Sequence, residues 1–172
     1  MWIRDAVIGD ARAIAQVHVR SWQAAYRGLL PADVLDGLSI DERARTWTTW
    51  LAAVEPPAAV LVVQDERILG FAAVGARRGG AADEGELRAI YLAPDAWDRG
   101  AGRLLHAAAV ARLQEAEFAT ATLWVLEGNE RAIRFYRRAG WRLDGTFRMD
   151  VGPAGVELPE LLMRQALSPD TV

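Results

Sequence analysis

The sequence predicts an α/β arrangement built on a mixed sheet. Two observations lead there. Short β-branched or apolar runs alternate with segments whose apolar residues recur at helical intervals. Their order is a strand, helices, a meander of three strands, then helix, strand, helix, strand, strand. The chain has 172 residues, about half of them apolar, which is enough to bury one sizeable core and short for two. A single domain over residues 1–172 is expected.

A short strand is expected over Trp2 to Ala6. Asp10 then stands where it would cap a helix whose apolar residues Ile14, Val17 and Trp22 follow at helical spacing. From Pro31 the sequence reads as a helix, a break around Gly37 to Asp41, and a second helix carrying Trp47, Trp50 and Leu51. The period then changes. "AAVLVVQDE" and "RILGFAAVGA" are apolar runs separated by Asp65, Glu66 and Arg67, the pattern of a hairpin. "RRGGAADEG", Arg77 to Gly85, reads as a glycine-rich, charged loop, followed by a strand "ELRAIYLAP" that begins at Glu86. After the helix that follows Gly102 come the strand "ATLWVLEGN" and the helix "ERAIRFYRRAG", closed by Gly140 in the position where a left-handed cap costs least. Two final strands, "WRLDGTFRMDV" and "VELPELLMRQAL", flank a turn at Gly152 to Gly155.

Composition narrows the chemistry. There is no cysteine, which removes disulfides, thiolate metal sites and a cysteine nucleophile. The two histidines, His18 and His106, are too far apart in sequence to suggest a metal pair, so no metal is expected. Every basic residue is arginine, leaving no lysine for a Schiff base or a P-loop. A net charge of −3, with arginines interspersed among acids, argues against a nucleic-acid partner. No segment approaches the roughly 18 consecutive apolar residues of a membrane span. The start "MWIRDAVIGD" carries acids where a secretory signal would have its apolar core, so a soluble, cytoplasmic protein is expected.

One stretch asks for a chemical explanation. "YLAPDAWDRGAGRLLHAAA" sets Gly100 and Gly102 around Ala101 where an extended run gives way to a helical pattern. A helix N-terminus presents about four unpaired N–H groups and a partial positive charge, each nearby anion gaining roughly 0.3–1 kcal/mol. Bare backbone at Gly100 and Gly102 lets an anion approach closely, and Arg99 and Arg103 add mobile positive charge, as a pyrophosphate cradle would require. The same residues also fit a tight strand-to-helix connection. A dinucleotide fold is a third reading, with Glu127 at the end of the next strand as its ribose-binding acid. Against it, Leu105 replaces the third glycine of G-x-G-x-x-G, and a helical pair and a hairpin precede the motif.

In combination, these residues resemble the GNAT superfamily of acyl-CoA N-acyltransferases. Its pattern is a strand of type L-Y-V followed by proline, then Q/R-x-x-G-x-G/A opening a helix; here "IYLAP" is followed by "WDRGAG", with Trp97 where glutamine or arginine is usual. The later "NERAIRFYRRAGW" is similar to the superfamily's A-x-x-F-Y-x-x-x-G-F helix, and "HVRSWQAAYRGLLP" resembles the first helices of one bacterial branch. The resemblance covers nearly the whole chain. It implies a GNAT-type single domain with a mixed, mostly antiparallel sheet of about seven strands flanked by helices.

The resemblance also implies a function, transfer of an acetyl group from acetyl-CoA to an amine by direct attack within a ternary complex. The acceptor would be a small-molecule or peptide amine, with no nucleic acid or membrane involved, and a homodimer is left open because members of the family often pair. The cofactor would be held by Ile90, Tyr91 and Leu92 along the pantetheine arm and by Trp97, Asp98, Arg99, Gly100, Ala101, Gly102 and Arg103 at the pyrophosphate. Asn129 would be a further ligand, a helix N-cap, or both. Trp97 would stack on the cofactor or pack. Tyr136 would protonate the leaving thiolate, the alternative being a core tyrosine with a satisfied hydroxyl. Glu86 would be the base, directly or through a water chain, the alternative being a solvated acid. Trp22 and Tyr26 would form one wall of the acceptor pocket or else the apolar stripe that docks the first helix. Two other functions remain open: a non-catalytic acyl-CoA sensor and a dinucleotide-dependent oxidoreductase.

Overall fold

The computed structural model describes residues 1–167. The chain begins with β1 (Trp2–Asp5), α1 (Ala11–Ala25), α2 (Ala32–Asp36) and α3 (Ile40–Ala53). The meander follows as β2 (Ala59–Gln64), β3 (Ile68–Ala76) and β4 (Glu84–Leu92). The second half is α4 (Ala101–Glu115), β5 (Thr120–Leu126), α5 (Glu130–Arg138), β6 (Arg142–Val151) and β7 (Glu157–Ala166). The seven strands form one sheet in the order β1-β2-β3-β4-β5-β7-β6, and every neighbouring pair is antiparallel except β4 with β5. A doubly wound dinucleotide fold requires a mostly parallel sheet, so this topology removes that reading. The domain expected over 1–172 ends in residues 168–172, which lie outside the described part.

β2 and β3 are buried almost end to end because helices cover both faces of the sheet, which is why their sequences read as continuous apolar runs. Phe71 and Tyr91 are cross-strand partners and therefore share a face; His18 of α1 packs on both rings. Leu92, one residue further along β4, points to the opposite face and lies beside Gly102 of α4. Thus α1 and α3 cover one face and α4 the other.

Several boundaries differ from the sequence reading, among them that α4 begins at Ala101 and so includes Gly102; three others bear on the site or its support. Asp10 does not cap α1; it ends a 3-10 turn, where its carboxylate accepts from Val7 N–H at 2.8 Å and pairs with Arg4 at 2.6 Å. The break after α2 closes at Ser39, whose hydroxyl accepts from Glu42 N–H at 3.2 Å, so Asp41 lies in the first turn of α3. The charged loop is also shorter than expected: β4 starts at Glu84, and Glu86 sits inside it between Gly75 of β3 and Thr122 of β5. Pairing with two neighbouring strands extended β4 beyond what its charged, glycine-containing start suggested.

The junction of β4 and β5 is tightly built. Thr122 is fully buried and its hydroxyl donates to Gly85 O at 3.2 Å. A Cβ on Gly85 would come within 2.8 Å of the Phe118 ring and 2.9 Å of Leu113. Gly85→Val should therefore cost about 1–3 kcal/mol by overpacking, lowering Tm by several degrees at about 2–4 °C per kcal/mol. An unchanged Tm in differential scanning calorimetry would show that this junction is loosely packed.

The two histidines are buried and neutral. His18 Nδ1 accepts from Trp47 Nε1 at 3.2 Å, and His106 Nε2 accepts from Trp141 Nε1 at 2.8 Å. Burial, with Arg43 adding repulsion, pushes the His18 pKa down to about 3 from its ordinary 6.5. A pKa depressed in the folded state stabilises the fold above the unfolded value and loses that contribution as pH falls toward the folded one. Between pH 6.5 and pH 5 the loss is about 2 kcal/mol at 1.36 kcal/mol per unit. The fall in Tm from pH 7 to pH 5 should be distinctly smaller in His18→Gln than in the parent protein; an equal fall would assign the acid sensitivity elsewhere.

Candidate active site

The site begins where the sheet opens. β4 and β5 pair only at Glu84–Thr120, Gly85–Ala121 and Glu86–Thr122. Beyond that point β4 stays on β3 as far as Leu92, and β5 stays on β7 as far as Leu126. The strands thus fork, and from Leu87 onward this edge of β4 has no strand partner. Ile90, Tyr91 and Leu92 lie on the opened stretch. An unpaired edge of this kind accepts an extended ligand through main-chain hydrogen bonds. The register with β3 skips Arg88, between Ala73–Ala89 and Val74–Leu87, so a β-bulge sits just past the last paired position.

At the far end of β4 the chain turns through Pro94–Ala96 into the loop before α4. Trp97 Nε1 donates to Leu92 O at 3.2 Å, and the Arg131 guanidinium lies 4.4 Å above the indole while pairing with Asp98 at 3.0 Å. Trp97 therefore packs, pinning the loop to the end of β4 and to α5. Gly100 adopts φ +86°, the left-handed region, at the N-cap of α4, and a Cβ there would meet no protein atom within 4 Å. Gly102 is different. A Cβ on it would make an ordinary 3.5 Å contact with Leu92, so packing within the chain does not demand glycine there. The first helical bond runs from Leu104 N–H to Gly100 O at 3.1 Å, leaving the N–H groups of Ala101, Gly102 and Arg103 without helix partners. Arg99 and Arg103 are exposed and form no ion pair among the described residues. Bare backbone, free donors and cations together suit a pyrophosphate.

Tyr136 of α5 lies near Tyr91 of β4. It is buried beside Phe135 and Trp141, and its hydroxyl makes no hydrogen bond to a described residue, unlike a core tyrosine with a satisfied hydroxyl. Burial, with Tyr91 nearby, pushes its pKa well up and keeps the phenol protonated. Asn129 Oδ1 accepts from Ala132 N–H at 3.2 Å, which makes it the N-cap of α5.

On the α1 side of the fork lies an open cavity of about 970 Å³. Trp22 and Tyr26 line it and also belong to a small apolar cluster with Leu30 and Leu35. Tyr91 faces the same space, near enough to Tyr26 and Tyr136 for the three phenols to influence one another. Glu86 also lines it, accepting from Arg78 N–H at 3.4 Å.

Two features of this cavity escaped the sequence reading. Glu160 on β7 is half-buried; desolvation raises its pKa, Arg148 at 2.6 Å opposes that, and the charges of Asp150 and Glu86 reinforce it. The signal was present: Leu158, Glu160 and Leu162 alternate on one face, an acid in a row of core leucines. Arg148 in turn lies 4.1 Å over Trp124. Among the described residues no cluster of three or more metal-ligating side chains occurs, and no helix is long and apolar enough to cross a membrane.

Comparison with known proteins agrees with this geometry. The model of the acetyltransferase (GNAT) family matches residues 18–141. The uncharacterized N-acetyltransferase YuaI of Bacillus subtilis strain 168 is 36% identical over 138 residues, covering 78% of this chain and 76% of the relative. Among solved structures, a phosphinothricin acetyltransferase from Sinorhizobium meliloti in complex with AcCoA superimposes with a TM-score of 0.72 at 25% identity, covering 99% of this chain and 90% of that one. The paia N-acetyltransferase of Thermoplasma acidophilum in complex with coenzyme A shares the fold, with a TM-score of 0.70 at 18% identity over 96% and 98% of the two chains. With the forked sheet, the glycine-led helix and these likenesses in place, the chain belongs to the acetyltransferase (GNAT) family and is an enzyme of that class, an N-acetyltransferase.

Proposed function

We propose that this chain, as one cytoplasmic domain, moves the acetyl group of acetyl-CoA to the amine of a small molecule or peptide by direct attack, with both substrates bound in the fork. The observation that carries this reading is the unpaired edge of β4 running directly to the free N–H groups of α4. Acetyl-CoA supplies an acetyl group activated as a thioester. The two solved neighbours that hold coenzyme A or AcCoA support that choice.

The chain's own groups divide the work. The N–H groups of Ala101, Gly102 and Arg103 hold the pyrophosphate, with Arg99 and Arg103 adding charge. Main-chain groups of Ile90, Tyr91 and Leu92 pair with the pantetheine arm, and one N–H near Leu92 meets the charge that develops on the carbonyl oxygen. Trp97 and Asp98 set the loop, and Asn129 fixes the start of α5 so that Tyr136 projects into the fork. The Tyr136 phenol, protonated at neutral pH, donates to the departing sulfur. Glu86 takes the proton of the incoming ammonium, directly or through water, while the nearby Glu160 remains held by Arg148. Trp22 and Tyr26 form the apolar wall behind the acceptor. A sensor without turnover would need no free phenol at the fork, so the unbonded Tyr136 hydroxyl favours an active enzyme.

Two variants test the halves of this proposal. Acetyl-CoA at a hundred times its Kd should stabilise the protein by about 2.7 kcal/mol, a rise in Tm of several degrees. Gly100→Val should abolish that rise by filling the cradle, and an equal rise in the variant would contradict it. Tyr136→Phe should keep the acetyl-CoA shift but lower kcat by about 10²-fold, as expected for loss of a positioned acid; unaltered turnover would dismiss Tyr136 from the chemistry.

A further inference from the structure

The charge on the acceptor side of the fork is not self-contained. Five arginines line the cavity, and two of them are engaged: Arg77 with Glu84 at 2.8 Å, and Arg148 with Glu160 at 2.6 Å and Asp150 at 3.4 Å. Arg43, Arg78 and Arg88 have no carboxylate within ion-pair distance among the described residues. Arg78 is exposed and Arg43 half-exposed, so water can satisfy both.

Arg88 is not. It is the bulged residue of β4, and its guanidinium lies flat on Gly75 of β3, so close that a Cβ there would fall 2.8 Å from Nη2 and 2.9 Å from Cζ. Its Nε is fully buried without a hydrogen-bond partner, and only Nη2 is engaged, donating to Ala76 O at 2.8 Å. A guanidinium has five N–H donors in a planar fork. One bond to a main-chain carbonyl leaves most of them unused in a partly desolvated place, where an unpaired charge is costly. Burial and the neighbouring Arg78 push the Arg88 pKa down, and the charge of Glu86 partly opposes them. The bulge sets Arg88 on the cavity face together with Glu86 and Tyr91. A positive fork thus stands beside the carboxylate of Glu86, which forms no ion pair among the described residues and accepts only from Arg78 N–H.

We propose that Arg88 receives an oxyanion carried by the acceptor itself, so that the substrate is an amine bearing a carboxylate or related acid, as an amino acid does. Arg88 grips the anion through its planar N–H fork, Arg78 adds a second positive charge, and Glu86 faces the ammonium at the other end. This inference rests on the acetyltransferase reading of the same cavity.

The test measures release of free thiol from acetyl-CoA with matched amines: the common L-amino acids, their α-carboxamides, and aminoalkylphosphonates. An acid-bearing amine should be favoured over its neutral counterpart by at least tenfold in kcat/KM, because a site built to pair an anion rejects the analogue lacking it. The carboxylate and phosphonate arms tell which acid is read. Arg88→Gln should raise KM for the favoured acceptor and reduce that preference to about one. Gly75→Ala should weaken the preference in the same direction, since its methyl displaces the guanidinium while leaving the charge. Neutral amines accepted as well as acidic ones, or an unchanged preference in both variants, would overturn the assignment. So would turnover of none of the acid-bearing amines while acetyl-CoA still raises Tm. Loss of the acetyl-CoA shift in the parent protein would remove the acetyltransferase reading instead.

Discussion

The site depends on β4 and β5 being paired at one end and separated at the other. Three residue pairs hold the closed end. Around them Thr122 bonds to Gly85, and Phe118 and Leu113 press on Gly85 where no side chain fits. Glu84 bridges Arg77, just past β3, and Arg164 on β7, and Arg164 continues to Asp144 on β6 at 2.6 Å. Arg164 first, then Arg77, hold the Glu84 carboxyl down to about 2, so this cross-sheet chain of charges persists at any pH where the protein is folded near neutrality. Beyond this clamp no ladder pair joins the two strands among the described residues, and a bulge at Arg88 follows directly.

The fork creates two unlike spaces from one strand. On the α4 side the edge of β4 leads to a helix N-terminus with free donors and exposed arginines, an environment for phosphate. On the α1 side lie aromatic walls and interleaved acids and arginines, an environment for a polar amine. Tyr91 lines the α1-side space with Tyr136 near it, and burial raises both phenols, so both carry their proton at neutral pH. The two histidines are buried, and each accepts a tryptophan N–H.

Local chemistry is what the sequence made readable. The hairpin at Asp65 to Arg67, the left-handed Gly140 and the Gly100 turn each follow from residues adjacent in the chain, and each stands as expected. The order of strands within the family fold was legible only through two motifs whose combination is unusual. What stayed hidden depends on long-range pairing. The bulge that singles out Arg88 exists only in the register between β3 and β4, and the ion pair that singles out Glu160 joins it to Arg148 on the neighbouring strand. Glu86 was placed at a strand start because a charged loop precedes it, while partners far along the chain draw Glu84 and Gly85 into the sheet. Trp97 had two readings from sequence, and its bond to Leu92 O, which shows how it packs, was invisible without the turn of the chain.

The most direct measurement of the central claim is amide hydrogen exchange with and without saturating acetyl-CoA. The account predicts slowed exchange confined to two stretches, the free edge of β4 over residues 87–92 and the helix start over residues 99–103, with the β6–β7 hairpin unaltered. Protection that spares both stretches, or none at all under conditions where acetyl-CoA is turned over, would contradict the fork as the cofactor site.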